Sequence, residues 1–341
     1  MNREDLAKDW QQLKQNNPRL RIRDAAAQLG VSELELLLTR LNEGVTWLSI
    51  EPRLLADELS SLGPVMSLVR NDYAVHETTG TFGELGGGAQ VGLFLGEQDS
   101  RLFFKHWVFL LSVVEGERES IQVFDATGQA VIKLYRLSQT NQQNWEVLIQ
   151  TRRTAQDQAI ALLPKATLER RAVNQAQALQ EDWSRITDVH QFNNLLKKHQ
   201  TDRLSAFEAA GSDWAQPVPC CAIETVMNTC GERRIPLMTF VSNSGVVQIH
   251  TGAPVTLKRT GPWYNILDPN FNLHLNTEAL TSAWVVRRPT VDGCVTSVEG
   301  FDASGRTVVQ FFGQRLEGEQ ERQDWRTLAD SLVEVSVEGV A

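Results

Sequence analysis

The residues best placed to do chemistry lie in Thr187-Asp188-Val189-His190-Gln191-Phe192. Thr187 is a favourable helix N-cap, and Asp188 adds a carboxylate to the first turn. Phe192, Leu195 and Leu196 follow at helical spacing and supply an apolar face. His190 is therefore expected in the first turn of a helix, where the positive end of the macrodipole disfavours imidazolium. A neutral imidazole is what a metal centre needs as a ligand. Taken alone, the stretch reads equally as a polar histidine at a helix start, so the choice rests on the rest of the chain. His199, nine residues on, reads as a solvent-facing helix position and a second-choice ligand. His76, His106, His250 and His274 show no such pattern and read as structural.

Other reactive types give weaker signals. Cys220, Cys221, Cys230 and Cys294 contain no C-x-x-C pair, and Cys220 with Cys230 matches no standard zinc spacing. Gly86-Gly87-Gly88 sits between strand-like runs with no Lys-Ser/Thr after it, so a hairpin loop is expected and not a phosphate cradle. Arg101, Arg203, Arg288 and Arg315 read in isolation as surface cations, and Phe103 and Phe312 as core rings. Residues 23–41 have a helix-turn-helix pattern. Its second helix carries Glu33, Glu35 and only Arg40, the wrong charge for phosphate, so a structural cap is expected.

These residues must be held by a chain of 341 residues, enough for one large or two medium domains. A composition of 42% hydrophobic and 22% charged residues suits a globular protein with a sizeable core. The net charge of -9 is a poor start for nucleic acid or for stable association with an anionic membrane. No apolar run reaches the ~18 residues of a membrane span, and the polar start Met1-Asn2-Arg3-Glu4-Asp5 has no leader pattern. With cysteines in no disulfide-like spacing, a cytoplasmic location is expected. Residues 1 to about 47 read as helical. Strands are expected at 65–69, 73–78, 91–95 and 102–114, then a hairpin of 121–125 and 130–137 about Gly128. Residues 151–182 read as a helical or partly flexible connector, 183–210 as helical, 220–316 as strands, and 320–332 as a closing helix.

The order repeats, and the repeat is visible in letters. Trp107 and Trp284 lie 177 positions apart, as do Val114-Glu115-Gly116 and Val291-Asp292-Gly293. So do Phe124-Asp125-Ala126-Thr127-Gly128 and Phe301-Asp302-Ala303-Ser304-Gly305, while Gln143-Asn144-Trp145 matches Gln323-Asp324-Trp325 at 180. Val65-Met66 and Val226-Met227 agree less closely. The expected fold is α+β with two tandem structural repeats, each a helical cap plus an antiparallel β-meander, packed through their sheets. The N-terminal repeat spans 1–165, with a connector helix from about 151, and the C-terminal repeat spans 166–341. His190 has no counterpart in the first helical stretch, so one main site is expected.

Over nearly its whole length the chain resembles the cytoplasmic haem-utilisation proteins of the HemS/ChuS type. The resemblance rests on Thr187-Asp188-Val189-His190-Gln191-Phe192, Arg101-Leu102-Phe103, Phe312-Gly313-Gln314-Arg315, Arg23-Asp24-Ala25-Ala26 and Trp284-Val285-Val286-Arg287-Arg288-Pro289. It implies that His190 is the axial ligand to haem iron. It places Arg101 on the distal side as the catalytic residue, with Phe103 lining the pocket. Arg203, Arg288, Gln310, Phe312 and Arg315 complete the implied haem-binding set. Two positions depart from the pattern: Arg288 stands where relatives often have lysine, and Phe312 where they have tyrosine. Haem needs an imidazole on one face, apolar walls, and cations for its propionates, for which the planar arginine fork is suited. A distal arginine leaves the sixth position to water or oxygen and stabilises negative charge there. The implied function is haem degradation that releases iron with an external electron donor. The haem would come from an inner-membrane importer. The alternatives are a carrier that delivers haem to a separate haem oxygenase, and, remotely, a helix-turn-helix regulator.

Overall fold

The computed structural model describes residues 2–154, 160–316 and 318–338. The chain divides into two compact units. The first holds residues 1–70, 77–166 and 243–248; the second holds 71–76, 167–242 and 249–341. The fold is α+β, and both units follow one plan.

In the first unit, helices Arg3–Asn16, Ile22–Leu29 and Glu33–Leu38 form the cap. Gly30 ends the second helix at φ 67°, and Ser32 opens the third with a capping box closed by Glu35. Glu33, Leu34, Leu36, Leu37 and Leu38 of that third helix are all buried. It therefore offers no face to a DNA groove, and the helix-turn-helix pattern is a structural cap. The strands are Val45–Leu48 (β1), Val65–Arg70 (β2), Ala74–Gly80 (β3), Gly86–Gly87 (β4), Val91–Phe94 (β5), Ser100–Phe103 (β6), Phe109–Glu115 (β7), Arg118–Phe124 (β8) and Ala130–Arg136 (β9). Two nine-stranded sheets are formed, and one of them contains the run β1-β7-β8-β9-β2-β3. The expected helix to about residue 47 stops early. Asn42 and Gly44 take positive φ, and Val45 and Thr46, both β-branched, pair with β7. The expected strand 102–114 is broken by the 3-10 turn Phe104–His106. The glycine triplet is a hairpin end, with Gly86 and Gly87 paired to Leu93 and Gly92.

In the second unit the strands are Ala215–Val218 (β10), Leu237–Ser242 (β11), Val246–Gly252 (β12), Leu257–Thr260 (β13), Trp263–Asp268 (β14), Phe271–Asn276 (β15), Ser282–Thr290 (β16), Gly293–Phe301 (β17) and Thr307–Gly313 (β18). The other nine-stranded sheet contains the run β10-β16-β17-β18-β11-β12, the same order as β1-β7-β8-β9-β2-β3. The expectation of strands from residue 220 is corrected by helix Ala222–Arg233. Its Ala222, Ile223, Val226, Met227 and Cys230 form one buried helical face. The Val65-Met66 and Val226-Met227 match thus joins a strand to a helix and drops out of the repeat. By strand order the counterpart of β2 is β11. The connector also differs from expectation. Helix Gln142–Arg152 ends at Arg152, residues 155–159 lie outside the described residues, and 160–175 contain no helix. Pro164 lacks an N–H, and the segment is held by side chains: the Arg171 N–H donates to Asp202 at 2.6 Å and Arg170 to Glu208 at 2.7 Å.

The repeat is carried most faithfully by the last two strands and their turn. β8 and β17 end with the same register shift, at Val123/Phe124 and at Gly300/Phe301. Asp125 Oδ1 then accepts from the Thr127 N–H and hydroxyl, and Asp302 Oδ1 accepts from the Ser304 N–H and hydroxyl, so both turns close on an aspartate. The preceding hairpin is not equal in length. Glu115 faces Arg118 at its tip in the first unit, whereas in the second Arg288 faces Val295 and two more pairs follow. Trp284 therefore lies opposite Glu299, a place held in the first unit by Leu111 opposite Gln122, and the Trp107 match in letters is not a match in register.

The closing helix Gln323–Glu338 packs Trp325, fully buried, against Gly313. A Cβ at Gly313 would fall inside the contact radius of the Trp325 ring. Gly313→Ala is therefore expected to cost about 1–3 kcal/mol by overpacking, read as a lowered thermal midpoint. An unchanged midpoint would mean that the ring yields freely.

Candidate ligand site in the second unit

His190 lies in a single 3-10 turn, Val189–Gln191, directly before helix Phe192–Lys198. Asp188, not Thr187, is the cap. Its Oδ1 accepts the His190 N–H at 2.8 Å and sits 2.7 Å from His190 Nδ1. An aspartate closes readily on the N–H two residues ahead, and Thr187 instead bonds the Gln191 side chain. The backbone N–H of His190, and then its ring, hold the Asp188 carboxyl below the usual carboxylate range. With Nδ1 facing a carboxylate, the neutral ring carries its proton there and presents the Nε2 lone pair. The side chain is 82% exposed, so Nε2 is open to a ligand. The Val291 N–H donates to the Thr187 carbonyl at 3.0 Å and ties this turn to the tip of the β16–β17 hairpin. Arg315 lies within electrostatic reach of Asp188 and donates to Asp292 at 3.4 Å and to the Glu319 carbonyl at 3.2 Å. His199 is not solvent-facing as expected: its Nε2 is tied to Asp182 at 2.8 Å, and it is mostly buried.

A second cluster is centred on Glu299, which sequence reasoning did not single out. This carboxylate is fully buried. It accepts from Arg203 Nε at 2.7 Å and Nη2 at 2.9 Å, from Arg288 Nη2 at 2.7 Å, from Ser297 Oγ at 2.7 Å and from Gln310 Nε2 at 3.0 Å. Burial works against its charge, but Arg203 and Arg288 overcome that and hold the carboxyl well below its ordinary value. Arg288 is only 2% exposed, and burial pulls it down to about 10 despite Glu299. Its guanidinium also faces Phe192 at 4.6 Å and Phe312 at 5.9 Å. Arg203 lies 5.1 Å over Phe192 and remains 23% exposed. The helix that starts two residues after His190 thus supplies the ring beneath both arginines.

Of the expected site residues, the second unit gathers Arg203, Arg288 and Gln310 on Glu299 with Phe312 beside them. His190 and Arg315 share the neighbourhood of Asp188. Arg101 and Phe103 belong to the first unit. There Arg101 donates to Asp99 at 2.6 Å and to the Ser100 carbonyl at 3.2 Å, while burial raises the Asp99 carboxyl against the pull of Arg101. The Phe103 N–H donates to the Gly245 carbonyl at 2.8 Å, and its ring is half-buried. One sequence signal does mark Glu299: it is the one charge in the run Val295-Thr296-Ser297-Val298-Glu299-Gly300-Phe301. A buried charge needs partners.

Chemically the second unit offers an open imidazole nitrogen oriented by a carboxylate, aromatic surface, and guanidinium groups suited to carboxylates. A flat apolar ligand with a metal centre and anionic arms matches that set.

The chain as a whole is similar to known proteins. The family model for the haemin-degrading HemS.ChuX domain matches residues 30–151 and again residues 200–332. The hemin transport protein HmuS of Yersinia pestis is 35% identical over 335 residues, covering 96% of this chain and 97% of its own. The structure of holo-PhuS, a heme-binding protein from Pseudomonas aeruginosa, superposes with a TM-score of 0.92 at 38% identity, covering 97% of this chain and 99% of that one. ChuS, an E. coli heme oxygenase, superposes with a TM-score of 0.88 at 35% identity, covering 96% and 99%.

Proposed function

The chain belongs to the haemin-degrading HemS/ChuX family, and from this we propose that it binds one haem through His190 and opens the ring to release iron. The observation that carries the reading is the His190 ring, exposed at Nε2 and held by Asp188 at Nδ1. Haem iron supplies the oxygen chemistry. The protein's own residues bind and orient: His190 ligates, Phe192 and Phe312 offer ring surface, and Arg203 and Arg315 meet the propionates. Arg288 and Gln310 support Arg203 from behind through Glu299. For Arg101, with Phe103, we keep the role that the resemblance implies, that of the catalytic residue. We propose the repeat boundary near residue 165. We place the protein in the cytoplasm, taking haem from an inner-membrane importer and electrons from a partner or diffusible donor. Among the described residues, no helix is long and apolar enough to cross a membrane. A second reading, a carrier that hands haem to a separate oxygenase, has the transport name of HmuS in its favour.

The test is a hemin titration followed by turnover with a reductant, with catalase present throughout. One haem per chain and a ring-opened product are the expected result. Binding without product under catalase would leave the carrier, and no defined stoichiometry would end both readings. Arg101→Ala is expected to keep the stoichiometry and slow product formation by about a hundredfold to a thousandfold, the range for loss of one donor to developing charge. Unchanged turnover would remove Arg101 from the chemistry.

A further inference from the structure

Glu299 does more than neutralise a buried cation. Two of the five N–H groups of Arg203, on Nε and Nη2, are committed to its two carboxylate oxygens in a bidentate pair. The other three have no partner among the described residues, and the side chain keeps 23% of its surface open. Arg288 and Gln310 hold the same carboxylate from the β16 and β18 sides, and Ser297 donates to it from its own strand. Gln310 stands directly opposite Glu299 in register. The carboxylate is therefore fixed on several sides, and it fixes the one arginine that reaches the surface. Two guanidinium charges against one carboxylate leave the cluster at a net single positive charge.

The matching place in the first unit is built differently. Gln122 occupies the register position of Glu299, opposite Lys133 where the second unit has Gln310. Ser120 is retained, opposite Tyr135 where the second unit has Phe312. Lys133 pairs with Glu33, and Gln122 Oε1 has no hydrogen bond among the described residues. The first unit thus turns its cation inward onto an acid. At this register position the second unit instead uses a buried acid to hold a cation that keeps an open edge.

Resting on the haem reading above, we propose that Glu299 is a positioning residue that sets ligand specificity. It holds the outer edge of Arg203 where a single carboxylate arm of the ligand is received. Arg288 is the buried brace of Glu299 and does not meet the ligand itself.

The experiment compares hemin with hemin dimethyl ester, the same iron porphyrin with its carboxylates blocked, by titration against three proteins. These are the wild type, Arg288→Met, and the pair Arg288→Met with Glu299→Gln. Glu299→Gln alone would leave two cations facing one another without a counter-charge and endangers folding, whereas the pair removes one buried charge of each sign. Charge alone ranks the pair above Arg288→Met for hemin, since the cluster is +1 in the pair and neutral in the single variant. Positioning ranks them the other way. The expected result is a preference for hemin over the ester that survives Arg288→Met within about threefold and falls at least tenfold further in the pair, with ester affinity nearly constant. Loss of the preference in Arg288→Met alone would show that Arg288 reads the carboxylate, and equal preference in all three proteins would show that Glu299 reads nothing. Either overturns the proposal while hemin still binds. A wild type that binds neither porphyrin would overturn the haem reading as well.

Discussion

His190→Ala is expected to weaken hemin binding by about a hundredfold, equivalent to roughly 3 kcal/mol, and to change the Soret spectrum of whatever complex remains. The ring is exposed, and the Asp188 contact is local, so the variant removes the Nε2 ligand with little effect on the core. The folded state should be unchanged by circular dichroism. Asp188→Asn tests the support separately. It keeps a side-chain oxygen for the backbone N–H but loses the charge facing Nδ1, and a loss of about tenfold is expected from such a second contact. Acidification should act in the same direction. The Asp188 carboxyl is depressed in the folded chain. Its hold on His190 is therefore present above the ordinary carboxylate value and is lost as pH falls through the depressed value. Tight binding with an unchanged spectrum in His190→Ala would move the ligand to another residue. His199 is poorly placed to replace it while its Nε2 is tied to Asp182.

Glu299→Gln should show a large loss of stability in the second unit. Arg288 and Arg203 lose the one anion that both contact, and Arg288 has almost no path to water. Breaking a buried pair from one side costs about 3–5 kcal/mol, a fall of about 10 °C in the thermal midpoint for a unit of this size. The pH dependence gives an independent check. The carboxyl is depressed from its ordinary value of 4.5. Below that value the unfolded chain takes up a proton that the folded chain refuses, so wild-type stability declines as pH falls through this range. The variant lacks that part of the decline, and the two midpoints should converge in acid. Parallel curves down to the lowest pH at which the protein folds would mean that Glu299 carries no differential charge.

Much of this was legible in the amino-acid order because it is local. The turn Asp302-Ala303-Ser304-Gly305 and its copy Asp125-Ala126-Thr127-Gly128 are decided by an aspartate accepting from the backbone just ahead of it. Five residues contain the whole interaction, so letters alone reveal it, and with it the duplication of an α+β unit. The pairing of His190 with Asp188 belongs to the same class, since the two are neighbours in sequence and in space. Strand and helix types failed where tertiary pairing overrode pattern. Val45–Leu48 became a strand through β7, and residues 222–233 became a helix because one side of them completes a core. Nor did the letters show that the β16–β17 hairpin is longer than its copy, since a change of register leaves residue types in place.

The cluster around Glu299 was decided only by the tertiary structure. Arg203 comes from the start of one helix, Arg288, Glu299 and Gln310 come from three adjacent strands, and 96 residues separate Arg203 from the carboxylate it grips. The amino-acid order determined that these cations exist and that a histidine and aspartate stand together. Which cation is buried as a brace, and which keeps an open edge, depends on strand register and on how deeply each guanidinium is buried over the ring of Phe192. Burial and distance set the cost and strength of a charge, and neither is a property of residues near one another in the chain.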